Sequence, residues 1–418
     1  MNDDKRKDPP HLHILKLTFA FFAAGMMMFL VAMIAAIWLI PDFVQLQSLR
    51  NPKGWFLAHL FLLGWATMVA MGASFQITQV MMRTSLYSRT LGYIQFVFYI
   101  LGFFAVISGF FTDTRLIVLG GGCIALGGLL YVFNLVMTFV RKKEWNLFVF
   151  GVCLSLIEFL LTIFLGIAMG LGFAYGWNAD HYAAIFGSHL WFGIAGWLSG
   201  LIIVYSFKLL PMFYISRKKL TPSSYWIIGS YHFGVWLQAL SLWSDAKWIA
   251  AVATFSMIVS LGWFIIHLFE VRKQSSGKQP IGAVKVAFFL IPASSFLFLL
   301  WSGLNWFGGI SNLDEVLIFS LILGWFSPTI LSYLSKILPF LWWAHRYRTK
   351  EDKKSAVLLS EMLPENRMTR ELVGYLTGIA AVIFGFLFKL PMVAVLGQIA
   401  AFGFVVIYIL ELLRLFRY

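Results

Sequence analysis

Five side chains in this sequence can do chemistry yet lie in or beside apolar runs, where polarity is costly. His59 opens the run HLFLLGWATMVAMGASFQITQ. A neutral imidazole inside a membrane helix is a ligand for haem iron or another transition metal. Its ordinary alternative is a hydrogen bond to a neighbouring helix. His189 stands just before the run WFGIAGWLSGLIIVYSFKLLP, with Asp180 and His181 upstream. Their interval sets His181 and His189 about 80° apart if the segment is helical. The cluster is a candidate copper or zinc site, set against an ordinary group of interfacial residues. Glu158 sits in SLIEFLLTIF. A carboxyl at that depth costs about 3 kcal/mol to insert, so it must face the bundle interior. It serves either a proton path or a hydrogen bond from a neutral carboxyl to another helix.

The elements that position these groups are membrane helices. Of the 418 residues, 60% are hydrophobic and 12% charged, with a mean hydropathy of +0.83. That charge fraction is about half of what soluble domains carry. Apolar runs long enough to cross a bilayer fall at about 14–40, 54–80, 90–112, 115–140, 146–175, 183–210, 224–243, 247–270, 282–304, 314–343, 371–389 and 391–413. The chain therefore reads as an all-α integral membrane protein of about twelve transmembrane helices, a single membrane domain in contact with lipid. The leader MNDDKRKDPPHLH runs into the first span without a small-residue cleavage site, as a signal-anchor or simple first span does.

The net charge of +14 does not mark a nucleic-acid partner, because the basic residues alternate by loop. One set holds Lys5 to Lys7, Arg83, Arg89, Arg141 to Lys143, Arg217 to Lys219, Arg272, Lys273, Lys278, the 346–370 segment, Arg414 and Arg417. The other holds only Arg50, Lys53, Arg115, Lys247 and Lys389. Positive charge stays on the cytoplasmic side. Both termini are thus expected in the cytoplasm, with the chain in the plasma membrane and 346–370 a solvated cytoplasmic loop. The two cysteines, Cys123 and Cys153, lie in different spans and signal neither a disulfide framework nor a metal knuckle.

Spans two, six and ten share a spacing. Each has a Gly-Trp pair (Gly64-Trp65, Gly196-Trp197, Gly324-Trp325). Twelve residues after the Gly comes Gln76, Lys208 or Lys336, and fifteen after it Gln79, Pro211 or Pro339. Same-direction repeats four helices apart imply three quasi-repeats, 14–140, 146–270 and 282–413, around a pseudo-threefold axis. The Gly admits close helix approach, the Lys can snorkel to phosphate, and the Pro ends or kinks its helix at the surface.

This arrangement, with the phrases AHLFLLGW, KLLPMF and KILPFLWWAHRY, resembles the core subunit of the haem-copper oxidase superfamily, on its oxidase-like and nitric-oxide-reductase-like branch. The resemblance covers nearly the whole chain. It implies a haem-copper oxidase subunit I-like fold, with His59 in the place of a haem ligand and His189 in the region of a copper ligand. It also exposes departures. The tenth span reads VLIFSLILGW, with Phe319 where the repeat would place a His, and the seventh-span His pair is replaced by ALSLWSD. Gly193 stands where oxygen-reducing members carry a Tyr, and His232 lies in the inner half of the seventh span. No catalytic residue for oxygen or nitric oxide reduction is expected, and copper is not expected. What remains is a single haem b on His59, for electron transfer, binding of a gas such as NO or O₂, or respiratory support beside a partner subunit. The alternative is a non-redox transporter, or an assembly factor for an oxidase or copper pathway, that reuses the fold without haem.

The topology is testable with fusions. A reporter that fluoresces only in the cytoplasm should be bright at the C-terminus and dark when inserted beside Arg115; the reverse pattern would overturn the orientation.

Overall fold

A computed structural model of the chain describes residues 14–244, 246–276, 282–306, 313–347 and 356–417. The described residues form twelve long helices: α1 Leu15–Leu46, α2 Pro52–Met82, α3 Arg89–Gly109, α4 Arg115–Lys142, α5 Leu147–Tyr175, α6 Ala179–Phe213, α7 Pro222–Ser241, α8 Lys247–Lys273, α9 Val284–Trp306, α10 Asp314–Arg346, α11 Glu365–Leu387 and α12 Pro391–Leu413. Eleven are long and apolar enough to cross a membrane, so the chain is a multi-pass membrane protein. The exception is α7, twenty residues carrying Ser223, Ser224, Ser230, His232 and Gln238. These polar groups reduce its hydropathy without shortening it.

The expected helix ends hold to within a few residues at most boundaries. The departures have local causes. Helix α1 runs on through Pro41 to Leu46, because a proline removes one backbone bond without forcing an end. Likewise Pro339 lies inside α10, which continues to Arg346. The 346–370 stretch is only partly a solvated loop. Its residues 348–355 lie outside the described ones, but Met362 and Leu363 are buried in the core, and the Trp343 indole donates to the Val357 carbonyl at 3.0 Å. Lys336, expected to reach lipid phosphate, pairs instead with Glu365.

Helices α2, α6 and α10 share a feature no composition argument anticipates. Each is π-helical around its Gly-Trp pair, over Leu60–Thr67, Trp191–Ser199 and Ser320–Phe326. A wider turn disturbs the carbonyl bonding of a regular helix, and lipid supplies no replacement partner. The fold supplies one each time. The Tyr99, Tyr231 and Tyr375 hydroxyls of α3, α7 and α11 donate to the carbonyls of Leu63, Ala195 and Leu323, at 3.0, 3.0 and 2.8 Å. Each acceptor immediately precedes the glycine. Ser199 and Ser327 add bonds to carbonyls five residues back, at Ile194 and Ile322.

The three helices are also tied to one another. The Tyr205 hydroxyl of α6 meets Ser74 of α2, and the Tyr333 hydroxyl of α10 meets Ser206 of α6 at 2.6 Å. The Trp197 indole donates to Thr67 at 3.1 Å. Around this centre, α3 packs on α4 and α11 on α12 through glycines. A Cβ on Gly102 would lie 2.6 Å from the Gly120 carbonyl oxygen, and one on Gly378 would lie 2.7 Å from that of Gly397. Of the repeat glycines, Gly64 and Gly196 are needed for space, whereas nothing lies within 4 Å of a Cβ on Gly324.

Replacing Tyr99, Tyr231 or Tyr375 by Phe should each cost about 0.6–1.7 kcal/mol, the usual range for a hydrogen bond between membrane helices. Denaturant unfolding in mixed micelles measures this. Three unchanged stabilities would remove the tyrosine bonds from the account of how the wide turns are held.

Candidate functional site

His59 lies about two turns into α2, immediately before its π-helical stretch. Its Nδ1 is 2.7 Å from the Trp55 carbonyl oxygen. His189 lies on α6 just before the second such stretch, with Nδ1 2.8 Å from the Thr162 carbonyl oxygen of α5. A carbonyl only accepts, so both Nδ1 atoms carry the proton and donate. In a neutral imidazole the other nitrogen, Nε2, then holds a free lone pair. Neither Nε2 has a hydrogen-bond partner among the described residues. The two ring centres are 6.3 Å apart with ring planes at 25°. Small residues make the room: a Cβ on Gly166 would come within 3.2 Å of the His189 ring, and one on Gly193 within 2.9 Å of Thr162.

Both imidazoles line a cavity of about 220 Å³ with mostly apolar walls, among them Leu62, Phe110, Ile117, Ile163 and Ile194. Arg50, Asp314 and Glu315 also line it. Arg50 is 3.8 Å from Asp314 and 3.9 Å from Glu315, and its guanidinium lies over the Phe186 ring. The Trp301 indole holds Asp314 at 2.7 Å. A larger chamber of about 1000 Å³ shares Arg50, Trp55, Tyr182, Leu190 and Ile194 as walls, and extends past Trp191, Gln238 and Trp301.

His181 does not join His189. It is exposed in the short turn Ala179–His181 and stacks on Trp243, with ring centres 6.0 Å apart; Asp180 is exposed beside it. Among the described residues no group of three or more His, Cys, Asp and Glu side chains is placed to hold a metal ion. The structure thus brings together His59 and His189, and separates His181 from both.

Glu158 has a partner that reading the spans one at a time does not reveal. It is fully buried, and both its oxygens lie against Nδ1 of His232, at 2.9 and 2.8 Å. Gly196 and Gly200 of α6 clear the space: a Cβ on Gly196 would lie 2.7 Å from the Glu158 carboxyl, and one on Gly200 would lie 2.7 Å from the His232 ring. The two residues sit at similar depth on α5 and α7, helices that start at the same end of the bundle. Matching depth on parallel spans was the available signal. The pair also connects to the cavity. The Thr162 hydroxyl donates to the Glu158 carbonyl at 2.7 Å, and the Thr162 carbonyl accepts from His189.

No protein-family model and no curated protein matches this sequence.

Removing one member of a buried pair strands the other, at a cost of about 3–5 kcal/mol. Glu158→Leu and His232→Leu should each fall in that range. The double variant should cost less than their sum, with a coupling of about 1–3 kcal/mol. Strictly additive unfolding energies would mean that the two side chains do not interact.

Proposed function

We propose that this chain is a haem-copper oxidase subunit I-like protein of the plasma membrane, with both termini cytoplasmic. In this reading it holds a single haem b through His59 and serves electron transfer, binding of a diatomic gas, or support of a respiratory assembly. The observation that carries the reading is the His59 imidazole. Its Nδ1 proton is committed to a backbone carbonyl, and it lines an apolar cavity. A carbonyl bound to the far nitrogen fixes the tautomer and ring orientation and raises the basicity of the ligating nitrogen.

The donor set fits a haem. His59 would hold the iron, and the mostly apolar walls suit the faces of the ring. The space near the two imidazoles is small, and the adjoining chamber supplies the rest. A bound haem supplies one-electron exchange. The chain's own residues orient the ligand, keep water from the apolar wall and so influence the potential. Oxygen or nitric oxide reduction is not proposed, because Phe319 occupies the repeat position of His59 in α10 and lines the same cavity.

A second reading, a transporter or assembly factor without haem, is favoured by one observation. The Glu158–His232 pair can hold or release a proton inside the bundle, which suits a proton-coupled carrier.

Oxidised and dithionite-reduced absorption spectra of the purified protein separate the two. Near-stoichiometric haem is expected in the wild type. His59→Ala should reduce it on the order of tenfold or more, and His181→Ala should leave it unchanged. A colourless protein after expression with ample haem would overturn the haem reading in favour of the carrier.

A further inference from the structure

We infer that His189 is the second ligand of the same iron that His59 binds, so that one haem is clamped between α2 and α6. The inference rests on the haem reading above and reassigns His189, which the sequence places in the region of a copper ligand. Three observations support it. First, the two imidazoles are prepared alike, each with Nδ1 donated to a backbone carbonyl, at 2.7 Å for His59 and 2.8 Å for His189. Each therefore presents Nε2 as its basic atom. Second, the ring centres are 6.3 Å apart. Two imidazoles on opposite sides of one metal ion, each bonded at about 2.0–2.1 Å, hold their ring centres about 6 Å apart. Third, α10 offers the cavity a phenyl ring and no side-chain nitrogen: Phe319 is among its lining residues.

The alternatives within the cavity are weaker. Its other polar side chains are Arg50, Asp314, Glu315, Tyr182, Thr67, Thr162 and the indoles of Trp55 and Trp197, which only donate. The Arg50, Asp314 and Glu315 charges are committed to one another. The Thr67 hydroxyl accepts from Trp197, and the Thr162 hydroxyl donates to Glu158. The same backbone bond leaves both Nε2 lone pairs available in one cavity, and one shared metal would take both. His59 and His189 together would hold the group and leave it no open position for a gas, so one-electron exchange is the chemistry it would supply. Of the roles proposed above, electron transfer follows.

The test uses the full chain purified in detergent after expression with ample haem, read by absorption, electron paramagnetic resonance and carbon monoxide addition, with metal analysis alongside. The wild type should be low-spin, and its reduced spectrum should not change with carbon monoxide. His189→Ala should keep haem, become high-spin and shift with carbon monoxide. His189→Met should stay six-coordinate and titrate at a higher potential than the wild type. This last variant retains a ligand and fills the space, so it tests the assignment even where the alanine variant fails to fold. A high-spin, carbon monoxide-reactive wild type that His189→Ala leaves unchanged would overturn the inference while the haem reading stands. A wild type without haem, or one carrying copper on the two histidines, would overturn both.

Discussion

A backbone carbonyl in a lipid-facing bundle must find a donor within the protein, and the wide turns of α2, α6 and α10 make that demand three times. Each π-helical stretch spans its Gly-Trp pair. Each is held by a tyrosine from the next helix, bonded to the carbonyl just before the glycine. The tyrosines themselves are buried, so each also needs an acceptor for its hydroxyl. One bond meets both needs, and it fixes the depth of α3, α7 and α11 against their partners. The ties from Tyr205 to Ser74 and from Tyr333 to Ser206 then lock α2, α6 and α10 together. The cavity beside His59 and the buried Glu158–His232 pair both lie against these widened segments.

Much of this architecture is legible in the sequence, because length and apolarity alone decide what crosses a bilayer. The spacing of Gly64, Gly196 and Gly324 points to the three helices that carry the wide turns. The turns themselves are not legible, since the same residues suit a regular helix. The tyrosines that complete them lie on other helices, thirty-six or more positions away. Charge alternation anticipates the ends of the helices. It does not anticipate that Lys336 meets Glu365, because a pairing across a chain reversal has no local signature.

The candidate site divides in the same way. That His59, His189 and Glu158 each need a partner inside the bundle follows from the cost of placing polar groups in apolar helices. Which of them meet does not follow. His181 is near His189 in sequence, yet a turn ends between them and exposes His181. His59 and His189 differ by two residues in register relative to their glycines, which argues against equivalence. That offset is roughly 200° of rotation on a helix. Helices repeated in the same direction around an axis each present equivalent positions to the next neighbour in turn. A residue out of register by about half a turn is the one that can face back. The offset that weakens His189 as a counterpart of His59 is consistent with the two rings meeting in one cavity.

The buried pair and the cavity are parts of one arrangement along α5. Glu158 and Thr162 are one turn apart on that helix. The first faces His232 and the second anchors His189 through its carbonyl. Gly193, Gly196 and Gly200 of α6 clear the space for Thr162, Glu158 and His232 respectively. A side chain at any of these glycines would push on this face of α5 or on His232, and through Thr162 on the orientation of His189. Changes in the charge of the Glu158–His232 pair act on the same stretch of backbone. The physical link between the buried pair and the His189 ring is therefore short: one helical turn, one hydroxyl and one carbonyl.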